Sequence, residues 1–192
     1  MRKTTIGVIG SSGEIPGSAG DEIMRLARQV GAEIAKAGAV LVSGGTTGVM
    51  AAVSQGAREA EGFVVGFLPE ADYSRASPDL DIAFPTGMGT MRNLLTARCC
   101  DALMMIGGGA GTLNELTIAY DFGTPVVVVE GSGGWADRIR PALFEGAWLD
   151  ERRTVAIGFA SSAVAAVDEA MRRAAEPKST RSLPVHVGSA GA

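Results

Sequence analysis

Residues 102–122 read ALMMIGGGAGTLNELTIAYDF, and this stretch decides the fold class. Ala102–Ile106 is a short apolar run with the length of a strand. It runs without a break into Gly107-Gly108-Gly109-Ala110-Gly111-Thr112, and Leu113–Phe122 then follows as a helix. A strand that empties into glycines and restarts as a helix is the unit of a parallel α/β sheet. The same unit recurs on both sides. Downstream, Val126–Val129 is four valines after Pro125, the pattern of a strand covered on both faces. Upstream, Thr5–Ile9, Val40–Val42, Val64–Phe67 and Ile82–Phe84 read as strands, and Thr154–Ile157 as a last one.

Helices are expected between them. Asp21–Ala37 carries Ile23, Leu26, Ala27, Val30 and Ile34 on one face, with Ser18 and Asp21 as a start signal and Gly38 as a stop. Val49–Ala60, Thr90–Cys100, Ala136–Phe144 and Ser162–Ala175 complete the set. The alternation predicts a Rossmann-like, doubly wound parallel sheet of about seven strands, with helices on both faces, in one domain spanning residues 1–175. Residues 176–192 have no period and few large apolar side chains, and read as a C-terminal tail. Pro69–Pro78 is the longest loop within the domain, a place where lids and binding loops are found.

Composition narrows the function. The chain has 192 residues, 46% of them apolar, 27 glycines and a net charge of −4. That supports one full core and argues against nucleic acid or an anionic membrane as partner. The opening apolar run stops at Gly10, too short for a signal peptide, so the expected location is the cytoplasm. Adjacent Cys99 and Cys100 read as reduced thiols, buried near a helix end. The only histidine, His186, lies in the tail, so no metal centre is expected.

The chemistry is expected at four strand ends. They carry Gly10-Ser11-Ser12-Gly13, Ser43-Gly44-Gly45-Thr46-Thr47-Gly48, Thr86-Gly87-Met88-Gly89-Thr90 and Gly107–Thr112. Glycines there let backbone N–H groups approach an anion, and each following helix adds its positive end. Four such loops at one sheet edge point to a phosphate or ribose site. It is not a P-loop: the lysines are Lys3, Lys36 and Lys178, none in a glycine loop. Nor is it the dinucleotide fingerprint, because Gly7, Gly10 and Gly13 have a different spacing. Thr112-Leu113-Asn114-Glu115 has two readings. It is a capping box that opens a helix, or a phosphate loop with a carboxylate one turn further in. Arg92 is either a solvated helix charge or a phosphate clamp. Trp135 and the Gly131–Gly134 turn leave the Val126–Val129 strand at the ligand edge, or cover the core.

Gly107–Glu115 resembles the glycine-rich signature of the LOG family of cytokinin riboside 5′-monophosphate phosphoribohydrolases, many of them mislabelled lysine decarboxylases. Arg92 lies 115 − 92 = 23 residues before Glu115, the family's separation of catalytic Arg and Glu. Gly44–Pro69, Gly133–Arg138 and Leu149–Arg153 are similar to the branch that contains the molybdenum-cofactor carrier. The resemblance implies a Rossmann-like fold and a homodimer or higher oligomer. It implies catalytic Arg92 and Glu115, with ligand contacts from Gly10, Ser11, Ser12, Gly44, Gly45, Thr46, Met88, Gly108, Gly109, Gly111 and Thr112. The implied ligand is an AMP-like nucleoside monophosphate or a phosphorylated pterin, with no further cofactor required. The implied activity is hydrolysis of the N-glycosidic bond to free base and ribose 5-phosphate; the alternative is a non-catalytic carrier. The chain departs from the family at Met91 and Asn93, where proven hydrolases carry Glu and Lys, and at Gly107 and Ala110. Lysine decarboxylation is excluded on chemistry, because no lysine stands near the site to form a Schiff base.

Overall fold

The computed structural model describes residues 2–13 and 16–176. Its strands are β1 (Thr5–Gly10), β2 (Val40–Ser43), β3 (Phe63–Leu68), β4 (Ile82–Pro85), β5 (Ala102–Ile106), β6 (Val126–Val129) and β7 (Gly158–Ala160). Its helices are α1 (Ser18–Lys36), α2 (Val49–Glu59), α3 (Asn93–Cys99), α4 (Ala110–Asp121), α5 (Gly134–Arg138) and α6 (Ala163–Ala175). The strands form one sheet of order β4-β3-β2-β1-β5-β6-β7, and every pairing is parallel. Chain order reverses between β1 and β5, where Ile6 pairs with Ala102 and Gly10 with Ile106. A crevice opens at such a switch point, beyond the carboxyl ends of the strands.

The alternation of side chains along each strand divides the core into two layers. Ile6, Val8, Leu41, Val64, Met104 and Val127 face α1, α2 and α6. Ile9, Val42, Leu103, Met105 and Val128 face α3, α4 and α5. This second layer stops short of one edge. On β3 and β4, Val65 pairs with Ile82 and Phe67 with Phe84, so these four share a face, and the Phe67 and Phe84 rings stack at 5.4 Å. Ile82 and Phe84 remain exposed there. No helix among the described residues is long and apolar enough to cross a membrane.

Four local expectations are corrected. Helix α1 begins at Ser18 itself, after Gly17 at φ 82°, and no side chain caps it, so Ser18 and Asp21 are not its start signal. Residues 136–144 are not one helix: α5 ends at Arg138 and a 3₁₀ turn spans Arg140–Ala142. The last strand is Gly158–Ala160 rather than Thr154–Ile157, because only there does the chain come alongside Val127–Val129. Cys100 is buried as expected, but Cys99 is exposed. The tail expected at 176–192 lies, apart from Glu176, outside the described residues, as does His186.

Candidate functional site

The turn from β5 into α4 is built backwards from the sheet. Gly107 and Gly108 have φ of 60° and 100°, a region that side chains disfavour, and a Cβ on Gly108 would meet Thr112 Cβ at 2.5 Å. Their N–H groups are consumed inside the protein: Gly107 N donates to Ser132 Oγ and Gly108 N to Ser11 Oγ. The next N–H groups differ. Helix α4 starts at Ala110 with Gly109 as its cap and no side chain accepting from it. The first N–H groups of a helix have no partner within it, and its dipole places partial positive charge there.

The capping-box reading of Thr112 and Glu115 is overturned by this start. The cap falls at Gly109, so Thr112 sits in the first turn and its hydroxyl donates to Gly10 O at 3.0 Å, tying α4 to β1. Glu115 reaches across instead to Arg92, whose Nη1 donates to Glu115 Oε1 at 3.0 Å. Arg92 comes from the 3₁₀ turn Gly89–Arg92 that leads into α3. The two side chains are only 10% and 8% exposed. Arg92 is therefore not a solvated charge. Its Nη1 also approaches Thr96 Oγ1 at 3.4 Å, its Nη2 lies 3.9 Å from Met50 Sδ, and its buried Nε has no partner among the described residues. A buried donor left without an acceptor costs about 1–3 kcal/mol. Burial outweighs the attraction of Arg92 and lifts the Glu115 carboxyl to about 7.

Arg92 and Glu115 wall a cavity of about 250 Å³ with Gly10, Ser12, Met50, Asn93, Gly109, Ala110, Gly111 and Thr112. The expected contacts therefore fall into three groups. Gly10, Ser12, Gly109, Gly111 and Thr112 line the cavity. Ser11 and Gly108 stand behind it, bonded to each other. Gly44, Gly45, Thr46 and Met88 lie off the lining. Gly44 packs against Arg92, so that a Cβ there would come within 2.7 Å of its Cζ. Gly45 packs against Gly66 and Leu80, Thr46 is buried with its hydroxyl near Met50 Sδ, and Met88 is exposed. Trp135 stands one layer back: its backbone N–H donates to Gly108 O, while its side chain packs on the α3–α4 core layer and does not line the cavity.

Three lining residues, Met50, Asn93 and Ala110, were not among the expected contacts. Asn93 Nδ2 donates to Asn114 Oδ1 at 3.1 Å and reaches Gly111 O at 3.4 Å, clipping the cavity's two walls together. Met50 backs the guanidinium. A wider groove of about 1020 Å³ lies beyond the first turn of α2, lined by Gly17, Asp21, Met24, Thr47, Gln55 and Arg75 among others. Arg75, Ser77 and Pro78 bring the long 69–78 loop to its rim.

A doubly wound parallel sheet with a glycine turn and a buried Arg–Glu pair at its switch point defines a Rossmann-like α/β protein. More narrowly, the chain belongs to the SLOG cluster 4 family, whose model matches residues 3–165. It is 35% identical over 138 residues to the cytokinin riboside 5′-monophosphate phosphoribohydrolase of Mycobacterium tuberculosis, covering 67% of this chain and 70% of that protein. The molybdenum cofactor binding protein of Rippkaea orientalis superposes with a TM-score of 0.74 at 32% identity, covering 90% of this chain and 97% of that one. The molybdenum cofactor carrier protein of Chlamydomonas reinhardtii gives 0.73 at 29% identity, covering 91% and 100%. The resemblance to LOG proteins and to the carrier branch is borne out.

Proposed function

We propose that the chain binds a nucleoside 5′-monophosphate at this cavity and hydrolyses its N-glycosidic bond. The observation that carries the reading is the buried Arg92–Glu115 pair, 3.0 Å apart, beside the uncapped start of α4. The phosphate rests on the N–H groups of Gly111 and Thr112, with the Arg92 guanidinium giving it a charge-assisted contact. The cavity is small beside the usual range of about 300–1000 Å³ for ligand sites, so it takes phosphate and ribose while the base extends outward. Cleavage needs a proton for the leaving base and a negative charge facing the sugar cation. A glutamate titrating near 7 supplies both in turn. As the C1′–N bond breaks, its electron pair goes to the base, which takes the Glu115 proton. The carboxylate left behind faces the cation and then accepts a proton from the water that adds to C1′.

A second reading, a carrier without turnover, is favoured by Asn93. It is neutral and already committed to Asn114 and Gly111, and the carrier of Chlamydomonas reinhardtii superposes over 91% of this chain. Incubation with a panel of nucleoside monophosphates, read by chromatography, separates the two. Free base and ribose 5-phosphate in equal amounts support the hydrolase; tight binding with no base released over hours supports the carrier.

Self-association is part of the proposal. Seven of the eight large apolar side chains exposed among the described residues lie between Phe63 and Leu94, and two of them, Ile82 and Phe84, sit on the face of β3 and β4 that no helix covers. A second copy covering that face removes them from water. Light scattering should give twice the 19.6 kDa chain mass, and Phe84→Asp should halve it. A wild-type monomer at micromolar concentration refutes the assembly.

A further inference from the structure

The occupied charge balance of the cavity is already complete. Of the described residues lining it, only Arg92 and Glu115 carry charge, and they neutralise each other. A phosphate dianion that enters must share Arg92 with the Glu115 carboxylate at close range. Like charges in a buried site do not both stay ionised. We infer that ligand binding is coupled to proton uptake by Glu115, so that the loaded site holds phosphate dianion, guanidinium and neutral carboxylic acid. This rests on the phosphate-binding reading above and adds a regulatory property to it: the site loads on the acid side of neutrality and releases on the alkaline side.

Among the described residues, the surroundings of Glu115 leave no other group to take that proton. Strands β1, β5 and β6, against which α4 packs, carry no ionisable side chain. On α3, the guanidinium of Arg98 lies over the Phe122 ring. At the end of α4, Asp121 is paired with Arg152. On α5, the Asp137 carboxylate accepts from Gly131 N and Gly133 N, and Arg138 is exposed. Among the described residues, Arg92 is the only charged group that acts on Glu115. Burial already holds this carboxyl near neutrality, so an incoming dianion pushes it from there into a range where it stays protonated at neutral pH.

The probe is inorganic sulfate, which stays a dianion across the neutral range, with AMP at about pH 8, above the phosphate's own second ionisation near 6, as the second probe. Binding heats are measured by calorimetry in two buffers with different ionisation enthalpies, which gives the protons taken up. With free Glu115 titrating at about 7, uptake should be about half a proton at pH 7 and about nine-tenths at pH 8, and affinity should fall about tenfold per pH unit above 7. Glu115→Gln cannot take the proton, so it should bind sulfate at pH 8 about tenfold more tightly than wild type, with no uptake and no pH dependence. If Gln is not tolerated, the wild-type proton count alone decides. Binding of either probe without proton uptake overturns this inference and leaves the phosphate site standing. Failure of both probes to bind overturns the site reading and the inference together.

Discussion

Replacing Gly44 by Ala should disarm the site without changing any residue that meets the ligand. Gly44 has no strained backbone angle, so alanine is acceptable there and only the added methyl acts. That methyl would lie 2.7 Å from Arg92 Cζ and 2.5 Å from Met50 Sδ, and closest of all to Arg92 Nη2. Ordinary contact between such atoms is about 3.5–4.0 Å, so the guanidinium must retreat by roughly 1 Å. Its 3.0 Å bond to Glu115 then stretches towards 4 Å, and its weaker approach to Thr96 is lost. A charge-assisted hydrogen bond in a buried site contributes about 1.5–3 kcal/mol, equivalent to about 10–150-fold in an equilibrium constant. Gly44→Ala should therefore lose that much AMP affinity and a similar increment of folding stability, measured by calorimetry and by urea unfolding. Wild-type affinity in a folded Gly44→Ala protein would refute the claim that Gly44 seats Arg92.

Glu115→Gln should keep AMP binding and lose at least ~100-fold in base release, since the amide supplies neither proton nor charge; retention of turnover removes Glu115 from the reaction. Thr112→Val should destabilise the fold by about 0.5–1.5 kcal/mol by breaking the tie to Gly10 O, read by urea unfolding. Asp101 is partly desolvated, which alone would raise its carboxyl, but hydrogen bonds from Arg2 and from Thr5 hold it below its ordinary 3.8. A depressed carboxyl stabilises the fold above its unfolded value and loses that contribution as pH falls through the folded one. Asp101→Asn should thus be less stable than wild type near neutrality, and the gap should close below pH 3.8; a gap that widens on acidification contradicts the assignment.

The parts legible in the sequence were those fixed by local pattern. Ala102–Ile106 and Val126–Val129 are strands at the expected residues because an apolar run between glycines or prolines has few other places to go. Arg92 and Glu115 each carried a functional reading beside a bland one, but their pairing was legible only by resemblance, since nothing local brings residues 23 apart into contact. What failed was decided at a distance. Strand β7 has three residues, and pairing with β6 chose them over the more strand-like Thr154–Ile157. Thr112-x-x-Glu115 has the spacing of a capping box, but the sharp turn at Gly107–Gly108 moves the cap back to Gly109 and frees both side chains for partners on β1 and beside α3. Asn93 and Met50 enter the cavity from the first turns of two different helices, α3 and α2, which only the fold brings together.

The proposed site puts the phosphate of the ligand at the start of α4, between Arg92 and the Gly109–Thr112 turn. A crystal structure of the protein soaked with AMP tests it most directly. The phosphate should lie within hydrogen-bond distance of the Gly111 and Thr112 N–H groups and of the Arg92 guanidinium, with Arg92 Nε or Nη2 as a donor. AMP bound instead in the wider groove, with its phosphate against Thr47 and Arg75, would contradict the account.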